Sequence, residues 1–192
     1  FSQDEVYQLI AQRVNEGKRV VHLINGDPFV FGSGGKAALS FRSEQIPFEV
    51  VPGLPLAIAA PAYAGIPLTH HALSSSFAVI AEVNQRGSHG DQFAKNVETL
   101  IFLTKIDRLP FIVNQLIQQG YYPATPVAVI QKGATMEQNV IVGSLQNIEQ
   151  KIGESLSSSS VVMIVGQVAQ LHKKLRWFEK KPLFGRRILV TR

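Results

Sequence analysis

Short uninterrupted runs of β-branched and aliphatic residues recur along this chain, with segments of helical periodicity between them. A run of four to eight apolar residues bounded by turn residues fits a strand buried on both faces. Strands separated by helices pack as a parallel or mixed sheet with helices against its faces. The runs are "RVVHLI" (19–24), "FEVV" before Pro52-Gly53, "FAVIAEV" from Phe77, "TLIFLT" (99–104), "PVAVIQ" (126–131), "NVIVG" (139–143) and "VVMIVG" (161–166). Ser2 and Glu5 form a capping box ahead of Val6, Leu9, Ile10 and Val14, one face of a first helix that stops at Gly17. Further helices are predicted from about Gly35 to Gln45, in the Ala-rich stretch to Ala64, from about Arg108 to Gln119, near 144–152, and up to Lys174. The adjacent runs between 126 and 142 predict a mixed sheet in the second half. "PLTHHALSSS" (67–76) marks the boundary between two α/β units, and "QRGSHGDQ" (85–92) and "SLSSSS" (155–160) read as loops.

The balance of charge narrows the partners. The formal net charge is +5, but Lys173, Lys174, Arg176, Lys180, Lys181, Arg186, Arg187 and Arg192 crowd the last segment and leave the rest slightly acidic. A basic tail without interleaved aromatic platforms reads as a solvated helix end and linker rather than a nucleic-acid site. Every apolar run is broken well short of the roughly 20 residues a membrane helix needs. With no secretory leader pattern at Phe1, a soluble cytoplasmic protein is expected, cut from something longer. The absence of cysteine excludes disulfides, thiolate nucleophiles and Cys-ligated zinc. His22, His70, His71, His89 and His172 show no ligand spacing, so no metal is expected.

The most distinctive chemistry is "INGDPFVFGSGGK" (24–36), which leaves the first strand at its carboxyl end. Ligands of open α/β sheets sit there, glycines allow the backbone to come close, and an acid can hold a ribose hydroxyl or a cationic group. A tight turn with Asp27 bonded to its own backbone uses the same residues, and local chemistry alone favours that turn. The glycine spacing is neither a dinucleotide fingerprint nor a phosphate-binding loop. Ser33 lacks the spacing of a nucleophile elbow.

"GKRVVHLINGDPFVFGSGG", "IPFEVVPG", "AIAAPAYAGIPLTH", "TPVAVI" and "LRWFE" occur in an order that resembles the tetrapyrrole methylases, most nearly those that methylate uroporphyrinogen III. The resemblance implies a two-domain α/β fold with a mostly parallel, incomplete amino-terminal sheet and a mixed carboxyl-terminal sheet flanked by helices. It divides the chain into 1–72, the carboxyl-terminal part of a first methylase domain, 73–179, a second methylase domain, and 180–192, a linker with the first strand of a synthase domain. It also implies a homodimer and S-adenosylmethionine as methyl donor, with S-adenosylhomocysteine as its product. The substrate would be uroporphyrinogen III, methylated to precorrin-2 on the way to sirohaem and cobalamin. Cofactor contacts fall on Asn25, Gly26, Asp27, Val30, Pro55, Leu56, Thr104 and Gly133, and substrate contacts on Ser33, Lys36 and His71.

Departures from the family pattern accompany these matches. Ser33 stands where an arginine is usual, Lys36 where a glutamate is usual, and His71 where an arginine is common. Losing the arginine removes a bidentate partner for a substrate carboxylate, and Lys36 can restore a positive charge but not the fork. Pro55 and Leu56 remove a hydroxyl from the cofactor contacts. The family's first strand, its first glycine-rich loop and its proton-handling aspartate and lysine align ahead of Phe1. The catalytic residues are therefore unassigned, the excerpt alone is expected to be inactive, and the amino-terminal sheet is expected to lack a central strand. "PLFGRRILVTR" (182–192) resembles the opening strand of uroporphyrinogen-III synthase, which implies a fusion. The other reading is a methylase fold that has lost catalysis and serves as a ligand-binding or structural module.

Overall fold

The computed structural model describes residues 1–81, 96–153 and 159–190. The chain divides into two compact units, Phe1–Pro55 and Leu56–Arg192.

In the first unit, helix α1 (Gln3–Asn15) begins with the expected capping box, in which the Glu5 amide donates to Ser2 Oγ and the Ser2 amide donates to Glu5. Helix α2 is Gly34–Ser43. Tyr7 and Ala11 of α1 pack with Ala37 and Phe41 of α2 and with Ile46 in a small core. The strands expected at 19–24 and in "FEVV" do not form: neither segment belongs to a ladder among the described residues. Val21, Leu23 and Val51 are exposed. A β-branched run becomes a strand only when another segment satisfies its amides and carbonyls, and no described segment does so here.

In the second unit, helix α3 (Leu56–Tyr63) leads to strand β1 (Phe77–Ala81), strand β2 (Thr99–Lys105) and helix α4 (Leu109–Gln118). Strands β3 (Pro126–Gln131) and β4 (Asn139–Ser144), helix α5 (Ile148–Ile152) and strand β5 (Ser160–Val165) follow. A 3-10 segment (Gln167–Leu171) then enters the short helix α6 (His172–Leu175), so the helix expected up to Lys174 is split. The sheet order is β1-β2-β5-β3-β4, with β1 parallel to β2 and the other pairs antiparallel, the mixed sheet that was expected.

The period-two pattern of each strand builds two cores. Leu100, Phe102, Val127, Val129, Val161, Met163 and Val165 face α4 and α5. Ile101, Ala128, Ile130, Val162 and Ile164 face α3 and the 3-10 segment. Met163 of β5 faces the first core between Phe102 and Val129, and Val162 and Ile164 of the same strand face the second, so the central strand is apolar on both faces, as a doubly covered sheet requires. The end of "FAVIAEV", the loop 85–92 and most of "SLSSSS" lie outside the described residues. Ile188, Leu189 and Val190 of the segment resembling a synthase strand are exposed and carry no ladder.

Candidate functional site

In the first unit the chain around Asp27 is held by its own backbone. Asp27 Oδ1 accepts the amides of Phe29 at 2.8 Å and Val30 at 3.1 Å, and Oδ2 accepts the amide of Gly53 at 2.9 Å. These three donors hold the Asp27 carboxyl below its ordinary range, Gly53 contributing most. The Gly34 amide donates to the Pro28 carbonyl at 2.9 Å and closes the loop onto the start of α2. This is the tight turn that local chemistry favours. A carboxylate has about four acceptor directions, so three amides leave one on Oδ2.

Two glycines make the arrangement possible. Gly26 has φ +78°, in the left-handed region. A Cβ on Gly53 would collide with the Gly26 carbonyl oxygen, so the approach that lets the Gly53 amide reach Asp27 requires a bare backbone. Pro55 lies alongside, its Cα 3.7 Å from where a Gly26 side chain would begin. The unit thus gathers Asn25, Gly26, Asp27, Val30 and Pro55 around one backbone-lined turn, and adds Gly53, which sequence reading noted only as part of a turn.

The substrate candidates of this unit are engaged elsewhere. Lys36 Nζ lies 2.7 Å from Asp4 Oδ1 on the exposed surface, which raises the lysine's pKa. Ser33 caps α2 without a side-chain hydrogen bond, and its carbonyl accepts the Tyr7 hydroxyl at 3.3 Å.

In the second unit, Thr104 of β2 pairs with Val161, and Val161 pairs with Gln131 of β3. Thr104 therefore lies two strand spacings, about 10 Å, from the residue that opens the Gly133 loop, on the same sheet edge. The ends of β1, β2 and β3 share this edge because the three strands run the same way. A Cβ on Gly133 would collide with Ala60 of α3, so the loop lies directly on that helix, one turn from Leu56. Leu56, Thr104 and Gly133 are thus grouped at one end of the sheet. His71 is separate: its ring stacks on His70 with centroids 4.4 Å apart. Adjacent side chains of an extended chain point to opposite sides. Residues 70–74 instead turn back on themselves through the His70 and Ser74 bridge, which brings the rings together. Among the described residues no group of three metal-ligating side chains exists.

An open groove of about 540 Å³ runs between Ile58, Ala62, Phe77 and Trp177. Its lining is almost wholly apolar and includes none of the candidate cofactor or substrate residues.

Comparison with known proteins gives the turn a context. The model of the family described as Tetrapyrrole (Corrin/Porphyrin) Methylases matches residues 1–149. The uroporphyrinogen-III C-methyltransferase of Bacillus subtilis is 38% identical over 198 residues, covering 100% of this chain and 40% of that protein. A sirohaem synthase of Pseudomonas aeruginosa is 39% identical over 180 residues, covering 92% of this chain and 39% of its own length. The chain thus spans about two fifths of these curated relatives. Among solved structures, a uroporphyrin-III-C-methyltransferase from Thermus thermophilus superposes with a TM-score of 0.76 at 33% identity, covering 90% of this chain and 75% of that one. A Thermus thermophilus uroporphyrin-III C-methyltransferase complexed with S-adenosylhomocysteine gives 0.71 at 29% identity, covering 88% and 75%.

Proposed function

The chain belongs to the tetrapyrrole methylase family, and from that premise we propose that it is part of an S-adenosylmethionine-dependent C-methyltransferase acting on uroporphyrinogen III. The relatives' names and the S-adenosylhomocysteine complex of one structural neighbour support the substrate and the cofactor.

The Asp27 turn is the observation that carries the reading. Its carboxylate is held in the ionised form by three amides, with one acceptor direction left on Oδ2 and the bare backbone of Gly26 next to it in sequence. That fits a ligand presenting a hydroxyl to a carboxylate and a flat edge to a main chain, as a nucleoside does. When bound, S-adenosylmethionine supplies an already activated methyl group. The protein's work is then alignment: misplacing donor and acceptor by about 1 Å costs on the order of a hundredfold in rate. Asn25 and Gly26 would offer backbone groups, Asp27 its remaining acceptor, and Val30 and Pro55 apolar surface. In the second unit, Leu56, Thr104 and the Gly133 backbone are proposed as cofactor contacts, and His71 as a substrate contact. We keep the division at 72 and 179, a homodimer and a cytoplasmic location as parts of this proposal.

Calorimetric titration of the intact natural protein with S-adenosylhomocysteine tests it. Binding that Asp27→Ala abolishes, followed by methyl transfer to uroporphyrinogen III, is the expected result; a folded protein that does not bind overturns it. One observation favours the second reading, a ligand-binding or structural module without catalysis: Lys36, which could restore the charge of the missing arginine, is committed to Asp4. Binding of S-adenosylhomocysteine without methyl transfer is its signature.

A further inference from the structure

The loop after β3 has an unusual backbone. Lys132 (φ +47°) and Ala134 (φ +64°), on either side of Gly133, are both in the left-handed region that side chains disfavour. Such a conformation persists only where surrounding contacts over-determine it. Here they are identifiable. Gln138 is 5% exposed, and its Oε1 accepts the Ala134 amide at 2.8 Å. Its Nε2 donates to Oε1 of Glu179, 41 residues further on. Gln138 is thus a two-ended link: the amide oxygen holds the loop and the amide nitrogen holds the carboxylate.

Glu179 is itself immobilised. Its neighbour Phe178 is 7% exposed and packs edge-on against Tyr63, the last residue of α3, with centroids 4.7 Å apart, and against Phe184 at 5.3 Å. The other Glu179 oxygen is enclosed, with no hydrogen-bond partner among the described residues, so the carboxylate's placement rests on Gln138 and this aromatic packing. A second clamp closes the loop from outside, where Glu137 pairs with Lys132 and Arg187 lies 3.9 Å away. The closing "LRWFE" segment, for which the proposed transfer reaction has no use, therefore reaches the backbone beside Gly133.

We propose that Gln138 and Glu179 are positioning residues that hold the Gly133 loop in the conformation competent to bind the cofactor. This rests on the assignment of Gly133 to S-adenosylmethionine. Neither residue touches the ligand; each acts through the Ala134 amide, and the loop's affinity depends on a segment beyond the sheet.

The experiment is a swap in the intact protein, read by S-adenosylhomocysteine titration and by hydrogen exchange at the Ala134 amide. Gln138→Glu replaces the donor facing Glu179 with an acceptor. It is expected to weaken binding about tenfold, with faster exchange at Ala134. Adding Glu179→Gln restores a donor to the facing oxygen, while the second oxygen of the introduced carboxylate still accepts from the Ala134 amide. The double variant is expected within about twofold of wild type. Should Gln138→Glu not fold, Glu179→Ala removes the same anchor with a neutral side chain and is expected to speed Ala134 exchange likewise. The Michaelis constant for uroporphyrinogen III should be unchanged throughout, which general destabilisation would not spare. Wild-type affinity in the single variants, beside a binding-deficient Asp27→Ala, overturns the link and leaves the functional reading standing, and so does a double variant that stays impaired. A wild type that binds no S-adenosylhomocysteine overturns the functional reading, and this inference with it.

Discussion

Asp27 Oδ2 accepts the Gly53 amide at 2.9 Å, joining two loops that are 26 residues apart in sequence. The contact exists because Gly53 has no side chain: a Cβ there would collide with the Gly26 carbonyl oxygen. Gly53→Ala should therefore destabilise the first unit by about 1–3 kcal/mol, the usual cost of forcing an atom into occupied space. S-adenosylhomocysteine affinity should fall in parallel, although no group assigned to the ligand has changed. Denaturant unfolding and calorimetry on the same variant check both; an unaffected affinity would show that the turn's geometry is not what binds.

Acid should undo the same contact at a defined point. Hydrogen bonds from Gly53, Phe29 and Val30 lower the Asp27 pKa from its ordinary value of 3.8. A carboxylate with a depressed folded pKa contributes its stabilisation fully above the unfolded value and loses it as pH falls through the folded one. The Gly53 amide resonance should accordingly titrate with a midpoint below 3.8. A midpoint at or above that value would mean that the carboxylate is not held by the three amides.

In the second unit, His172 is 8% exposed, and its Nδ1 lies 2.6 Å from the Ala64 carbonyl oxygen. His172→Leu keeps the bulk but strands a buried carbonyl. A loss of about 1–3 kcal/mol is expected in urea unfolding. Retention of wild-type stability would place the value of this histidine in packing alone.

The second unit was readable from sequence because each apolar run there finds a partner: Met163 between Phe102 and Val129 shows how composition, period and ladder agree. The same kind of run at 19–24 forms no strand, since composition describes the strand but not the neighbour that completes it. Asp27 was legible as a turn acid, but its main donor, Gly53, was not, because nothing local links positions so far apart. The Gln138 and Glu179 pair was invisible for the same reason. The contact between the His70 and His71 rings was not legible, because adjacent side chains diverge in an extended chain and "THHALS" turns.

The last prediction concerns Lys36. Its ion pair with Asp4 is exposed on both sides, and pairs of that kind contribute little to stability, so breaking it should barely alter folding. It can still alter substrate binding. Uroporphyrinogen III is rich in carboxylates, and a lysine bound to Asp4 must give up that partner before it can serve one of them. Asp4→Asn should free the ammonium and lower the Michaelis constant for uroporphyrinogen III about two- to fivefold at low salt, with S-adenosylhomocysteine affinity unchanged. Lys36→Ala should raise that constant, and the double variant should match Lys36→Ala, because Asp4 then has nothing to release. Steady-state kinetics over a range of ionic strength make the comparison. If Asp4→Asn acts equally with and without Lys36, the lysine does not read the substrate, and positive charge near the missing arginine has no role in its recognition.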